Sequence, residues 1–208
     1  MDIVKKIAAE LEIRPQQVEA VIKLIDEGNT IPFIARYRKE AHGSLNDEQL
    51  RNLSERLTYL RTLEEKKEQV LATIEEQGKL TDELKAQILA AETQVLVEDL
   101  YRPYRPKRRT RAIIAKEKGL EPLAQIILAQ EVTEPLETIA EVKDVADAIA
   151  GARDIIAEQI SDNADYRKYI RDITREEGIL TSTAKDEKAQ SVYEMYYEYQ
   201  EPVKKIAG

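Results

Sequence analysis

The sequence predicts an all-α fold: a multi-helix array with one long helix over about 47–77 and essentially no sheet. Three observations carry this. Leu, Ile, Ala and Val are interleaved with Glu, Lys, Gln and Arg, residues that favour helix at nearly every position. Apolar residues recur at three- and four-residue spacing, and no stretch keeps period-two alternation. Capping residues and stop signals also punctuate the chain at helix-length intervals.

In chain order, Asp2 caps a helix with Ile3, Ile7, Ala8 and Leu11 on one face. Pro15 opens a second helix bearing Val18, Val21, Ile22 and Ile25, and Gly28 stops it. These two short helices read as core helices or as the start of a helix-turn-helix. Pro32 opens a third helix, after which Gly43-Ser44-Leu45 forms a loop around His42.

Asn46-Asp47-Glu48-Gln49 is a capping box that opens the long helix, which ends at Gly78. Leu50, Leu53, Leu57, Leu60, Leu71 and Ile74 keep heptad-like spacing along it, but Glu64 and Lys67 interrupt the seam. That interruption favours a long helix packed on its own chain over a coiled-coil dimer, and the chain is expected to be monomeric.

Further helices are expected over 82–89, 95–101, 110–118, 122–129, 135–142, 145–161, 164–177 and 187–199. The last would carry Tyr193, Tyr196, Tyr197 and Tyr199 as a packing or docking face. Residues 201–208 read as a helix begun and cut short, the mark of a boundary inside a longer protein. A subdivision into 1–45, 46–101 and 102–208 follows from these breaks.

The chain lacks cysteine, which removes disulfides and thiolate chemistry. His42 is the only histidine, and alone it builds no zinc site. The acidic pairs Glu64-Glu65 and Glu98-Asp99 point apart on a helix. No Gly-rich phosphate loop or nucleophile elbow occurs. The expectation is a protein that is not an enzyme, needs no cofactor or metal, does not cross a membrane and resides in the cytoplasm.

Charge supplies the functional clue. The net charge is −8, yet positions 102–118 carry eight Lys or Arg against one Glu. Arg102, Arg105, Lys107, Arg108, Arg109 and Arg111 lie within ten residues, with Pro103 and Pro106 favouring an extended path and Tyr101 and Tyr104 adding aromatic surface. One reading exposes these cations to the phosphates of RNA or DNA. The other neutralises them on the chain's own carboxylates. Arg36, Arg38 and Lys39 form a second basic group, and Arg36 and Arg38 are expected to pair with Glu98 and Asp99.

The run from Thr30 through Ile31, Pro32, Phe33, Ile34, Ala35, Arg36, Tyr37, Arg38 and Lys39 to Glu40 closely resembles a signature of the Tex family, bacterial transcription accessory proteins. Glu98-Asp99-Leu100-Tyr101-Arg102-Pro103-Tyr104, with Lys107 to Ala112 and Gly119 to Ala124, resembles a second signature. The resemblance spans essentially the whole chain. It implies a much longer parent, in which a resolvase-like domain, helix-hairpin-helix elements and an OB-fold RNA-binding domain follow this helical region. It also implies RNA or DNA as partners of that parent, and supplies no catalytic residue. Two roles for the chain itself follow: a scaffold whose basic segment contacts nucleic acid, or a structural and docking module that braces the later domains or contacts the transcription machinery.

Overall fold

A computed structural model describes residues 1–43, 45–130, 144–186, 188 and 190–206. It divides into two compact units, Met1–Tyr101 and Arg102–Gly208. Among the described residues the architecture is helical, with one small two-stranded sheet.

The first unit contains α1 (Ile3–Glu10), α2 (Pro15–Asp26), α3 (Ile31–Tyr37), α4 (Lys39–His42), α5 (Asp47–Glu76), α6 (Asp82–Ala90) and α7 (Gln94–Tyr101). The caps read from the sequence form as hydrogen bonds. The Asp2 side chain accepts from the Lys5 amide. Asn46 and Gln49 form the reciprocal capping box, with amide-to-side-chain distances of 2.8 and 3.0 Å. Thr81 accepts from the Leu84 amide.

At 30 residues, α5 is about 45 Å long. Its buried stripe runs Leu50, Leu53, Leu57, Leu60, Leu63, Lys67, Val70 and Ile74. Beyond Leu60 the stripe takes Leu63 and Val70, leaving Leu71 half-buried. This is the drift of a straight 3.6-residue helix away from a heptad repeat, so α5 is an intrachain packing helix. Helices α1, α2, α3, α6 and α7 pack along it.

Lys67, which looks like a break in the apolar seam, occupies the core: it is 1% exposed. Its aliphatic stem packs within the stripe, and its ammonium donates to the Leu89 carbonyl at 2.9 Å near the C-terminus of α6. It also pairs with Glu64 at 2.8 Å, and the other Glu64 oxygen accepts from the Met1 amino group at 2.8 Å. A buried cation is thus satisfied by a carbonyl and a carboxylate, with the positive charge at a helix C-terminus where the dipole favours it.

Two rim ion pairs tie the short helices to α5. Arg56 grips Glu10 through two nitrogens, and Arg61 grips Asp26 at 2.7 and 2.8 Å. Arg56 also sits 4.9 Å from the Tyr59 ring centre, and the Tyr59 hydroxyl accepts from the Gln94 amide.

The second unit begins with a 3₁₀ turn, Arg102–Tyr104, followed by α8 (Arg111–Glu117), α9 (Glu121–Ala129), α10 (Val145–Asp162) and α11 (Ala164–Glu177). Its core is built largely from small residues: Ala112, Ala115, Ala124, Ala148 and Ala152, closed by Leu120 and Ile155. Gly151 belongs to the same contact. A Cβ placed there would lie 2.4 Å from Leu120 Cδ1 and 3.2 Å from Ala115 Cβ, so its absence lets α10 approach α8 closely. The expected helix over 135–142 lies outside the described residues.

Two expectations are corrected. Among the described residues of 187–199 the expected α-helix is not formed. Instead β1 (Ile179–Thr183) pairs antiparallel with β2 (Glu198–Pro202), from Ile179 opposite Pro202 to Thr183 opposite Glu198. A 3₁₀ turn, Glu194–Tyr196, precedes β2. Tyr199 therefore lies on a strand, its ring edge-on to Tyr196 at 5.6 Å, and the four tyrosines do not form one helical face. The β-branched and aromatic residues of both segments suit a hairpin, and Pro202 at the strand end blocks helix continuation. The one-turn helix expected after it is a 3₁₀ turn, Val203–Lys205.

The second correction concerns His42, which is fully buried at the end of α4 rather than exposed in a loop. Its Nδ1 accepts from the Leu45 amide at 3.0 Å, and the Gln17 side-chain amide donates to its carbonyl at 2.9 Å. Gly43 follows with φ +63, a left-handed cap that suits glycine.

The carboxyl groups of the first unit make its stability pH-dependent. For Glu64, burial alone would raise the pKa, but Lys67 and the Met1 amino group hold it below its ordinary 4.5. Hydrogen bonds from Arg56 and Arg61 likewise lower Glu10 and Asp26 from 4.5 and 3.8. Depressed folded-state values mean the stabilisation is complete above the unfolded values and is lost as pH falls through the folded ones. Thermal melts should therefore plateau above about pH 5 and decline below about 4.5, and Glu64→Gln should flatten the decline. In the second unit, Gly151→Leu should overpack the α8–α10 contact and cost about 1–3 kcal/mol, read by chemical denaturation.

Candidate nucleic-acid interface

The basic segment is positioned by α10. Asp154, Glu158 and Asp162 recur every four residues on that helix, so their carboxylates form one stripe. The segment runs antiparallel to it. Arg102 Nε donates to Asp162 Oδ1 at 2.9 Å. Lys107 Nζ bonds the second Asp162 oxygen and lies 3.5 Å from Glu158 Oε2. Thr110 Oγ1 donates to Glu158 Oε1 at 3.0 Å while accepting from the Ile113 amide as the cap of α8. Arg111 reaches Asp154 at 3.7 Å. Farther along, Lys118 pairs with Asp147 at 3.0 Å, on the first turns of α10.

Burial grades these contacts. Asp162 is 9% exposed, and its Lys107 partner has a quarter of its side chain accessible. A carboxylate there, in the last turn of α10, opposes the helix dipole, so two cations on it offset that penalty. Outward from this point the pairs loosen. Arg109 contacts Glu117 at 2.6 Å with 70% of its side chain exposed, and 86% of the Arg111 side chain is exposed. Arg105 is exposed and its amide donates to the Arg102 carbonyl. Arg108 is exposed and has no ion pair or hydrogen bond among the described residues. A small groove beside Pro103 is lined by Lys107 and Lys116 together with Glu158 and Asp162, so its charges offset one another.

The secondary basic residues are brought together in the first unit, where Arg38 joins α3 to α4. Arg36, Arg38 and Lys39 are all exposed. They do not make the expected pairs with Glu98 and Asp99. Glu98 pairs with Lys66 at 2.7 Å, Asp99 is buried, and Arg38 reaches Glu40 only at 4.0 Å. Arg36 and Arg38 lie instead against rings, 6.0 Å from the centre of Tyr37 and 5.7 Å from that of Phe33.

The sequence reading missed the residues that hold the basic segment. Their signal was present, since Asp154, Glu158 and Asp162 at four-residue spacing mark an acidic helical face. What it lacked was the fold that lays an extended segment along that face.

Among the described residues no group of three or more His, Asp or Glu side chains could hold a metal ion, and no helix is long and apolar enough to cross a membrane.

Two family models match the chain. Residues 1–75 match the Tex-like protein N-terminal domain, and residues 124–208 match the Tex central region. The transcriptional accessory protein Tex of Neisseria gonorrhoeae is 45% identical over 98% of this chain and 28% of its own length. Protein YdcI of Bacillus subtilis is 47% identical over 97% of this chain and 30% of its own. The human S1 RNA-binding domain-containing protein 1 is 26% identical over 88% of this chain and 19% of its own. The chain therefore spans less than a third of the length of these relatives. With residues in both of its units matched by domains of one family, the chain belongs to the Tex family, the transcription accessory proteins.

Proposed function

We propose that this chain is a non-catalytic helical scaffold within a cytoplasmic transcription accessory protein, and that its basic segment acts first as an internal brace. The observation that carries this is the alignment of Arg102, Lys107 and Arg111 on the acidic stripe of α10. Among the described residues the core of the second unit is mostly alanine, which buries little apolar area per residue, so a part-buried ion pair on its flank matters more than one on a Leu-rich core. RNA or DNA would be bound by the parent protein, in keeping with the name of the human relative, and the scaffold would hold the later domains or meet the transcription machinery.

A second reading is favoured by the exposure of Arg108, Arg109 and Arg111, whose outer faces could contact phosphates once the inner pairs are made. The two readings separate cleanly. Asp162→Ala removes the carboxylate shared by Arg102 and Lys107 and should destabilise the second unit by about 1–2 kcal/mol, whereas Arg108→Ala should change stability by less than about 0.5 kcal/mol, both read by denaturant unfolding. If bracing is the main role, replacing Arg105, Arg108 and Arg109 together with Ala should leave the salt dependence of RNA and DNA binding by this chain unchanged. A shallower dependence in that variant would assign phosphate contacts to the basic segment.

A further inference from the structure

From the α3–α4 segment we infer a binding site for single-stranded nucleic acid, separate from the basic segment and built from Phe33, Arg36, Tyr37, Arg38 and Lys39. Phe33 is the only phenylalanine in the chain, and it is 38% exposed on a seven-residue helix that buries only Ile34. Tyr37, one turn later, is 58% exposed. The two rings are 5.2 Å apart at 47°, so they support each other, and with Arg36 beside Tyr37 and Arg38 beside Phe33 both rings still keep accessible surface. Two large exposed rings in contact need a reason, since both lose free energy in water.

The cations supply that reason. Among the described residues no carboxylate pairs with Arg36 or Lys39, and Arg38 meets Glu40 only at the outer limit of an ion pair. This contrasts with the basic segment, where the inner cations already sit on carboxylates. In a chain of net charge −8, three largely uncompensated cations around two open rings form a local exception. Arg36 and Lys39 are one helical turn apart in sequence, and both line an open groove with Arg51. Asp47 and Glu48, in the first turn of α5 where the helix dipole favours acidic groups, also line the groove, so a phosphate there would be held by Arg36, Lys39 and Arg51 against their repulsion.

The chemistry matches one class of ligand. Open rings stack on bases of any identity, and flanking Arg and Lys hold the intervening phosphates. A duplex hides its base faces and would use only the cations. The platform is held from below: Ile34 and His42 are fully buried, the Leu45 amide donates to His42, and Gln17 donates to the His42 carbonyl. It is therefore set before any ligand arrives.

The test is a fluorescence-anisotropy titration of the intact 208-residue chain. The probes are labelled oligo(U), oligo(dT) and a DNA duplex, each at several salt concentrations. Both single strands should bind more tightly than the duplex, with a log–log salt slope of about −2 if three phosphates are engaged. Tyr37→Ala and Phe33→Ala should each weaken binding about tenfold without changing that slope. Arg36→Gln and Lys39→Gln should each make it shallower by about 0.7. Tyr37→Phe should retain affinity, and circular dichroism of every variant should match the parent chain. Equal binding of both single strands, or tighter binding of oligo(U), supports the site. Failure of all three probes, wild-type binding by the Phe33 and Tyr37 variants, or binding of poly-glutamate in place of the oligonucleotides would overturn it. Loss of binding on replacing Arg108 and Arg109 instead would move the contact to the basic segment.

Discussion

A single helix about 45 Å long cannot bury its apolar stripe against one short partner, and the first unit is organised around that constraint. Helices α1, α2, α3, α6 and α7 each cover part of α5. The stripe is apolar at both ends and ionic in the middle, where Lys67 is buried. An apolar residue at that position would fill the stripe but leave the Leu89 carbonyl without its donor. Lys67 fills the stripe with its stem and satisfies α6 with its ammonium, while Glu64 balances the charge and reaches the Met1 amino group. The Lys67–Glu64 pair therefore links three segments of chain that are far apart in sequence.

The second unit solves a different problem. Alanines and Gly151 let its helices approach closely, a geometry rich in backbone proximity and poor in buried side-chain area. Electrostatics on the flank of α10 complements that core. The sharpest charge cluster in the sequence is spent largely there, because a carboxylate every four residues faces an extended, proline-containing segment. Charge density in the sequence was therefore a poor guide to accessible charge. The shorter basic group, Arg36, Arg38 and Lys39, is the less compensated one, since its neighbours are rings and not acids.

Local rules made most helix boundaries legible. Asp2, Asn46, Thr81 and Thr110 each cap the helix that follows them, because a side-chain oxygen two or three residues before an unpaired amide needs no tertiary help. The same rules failed for residues 187–199. Tyrosine spacing alone fits a helix or a strand with its flanking turn, and pairing of β2 with a strand almost twenty residues earlier decided between them. His42 misled for a similar reason: a histidine beside a glycine reads as surface, and only its contacts with Gln17 of α2 and the Leu45 amide show it as a buried acceptor.

The sequence by itself determined the helical class, the caps, the position of the long helix, the family signatures and the segregation of charge, since each rests on spacing or on identity along the chain. The tertiary structure alone decided what the charges touch. Ion pairing depends on distances between segments some fifty residues apart, and composition carries no record of them. In this protein that decision set the inner cations of the arginine-rich segment, the most conspicuous motif of the sequence, on the carboxylates of α10, and left Arg36, Arg38 and Lys39 beside two aromatic rings with little carboxylate pairing.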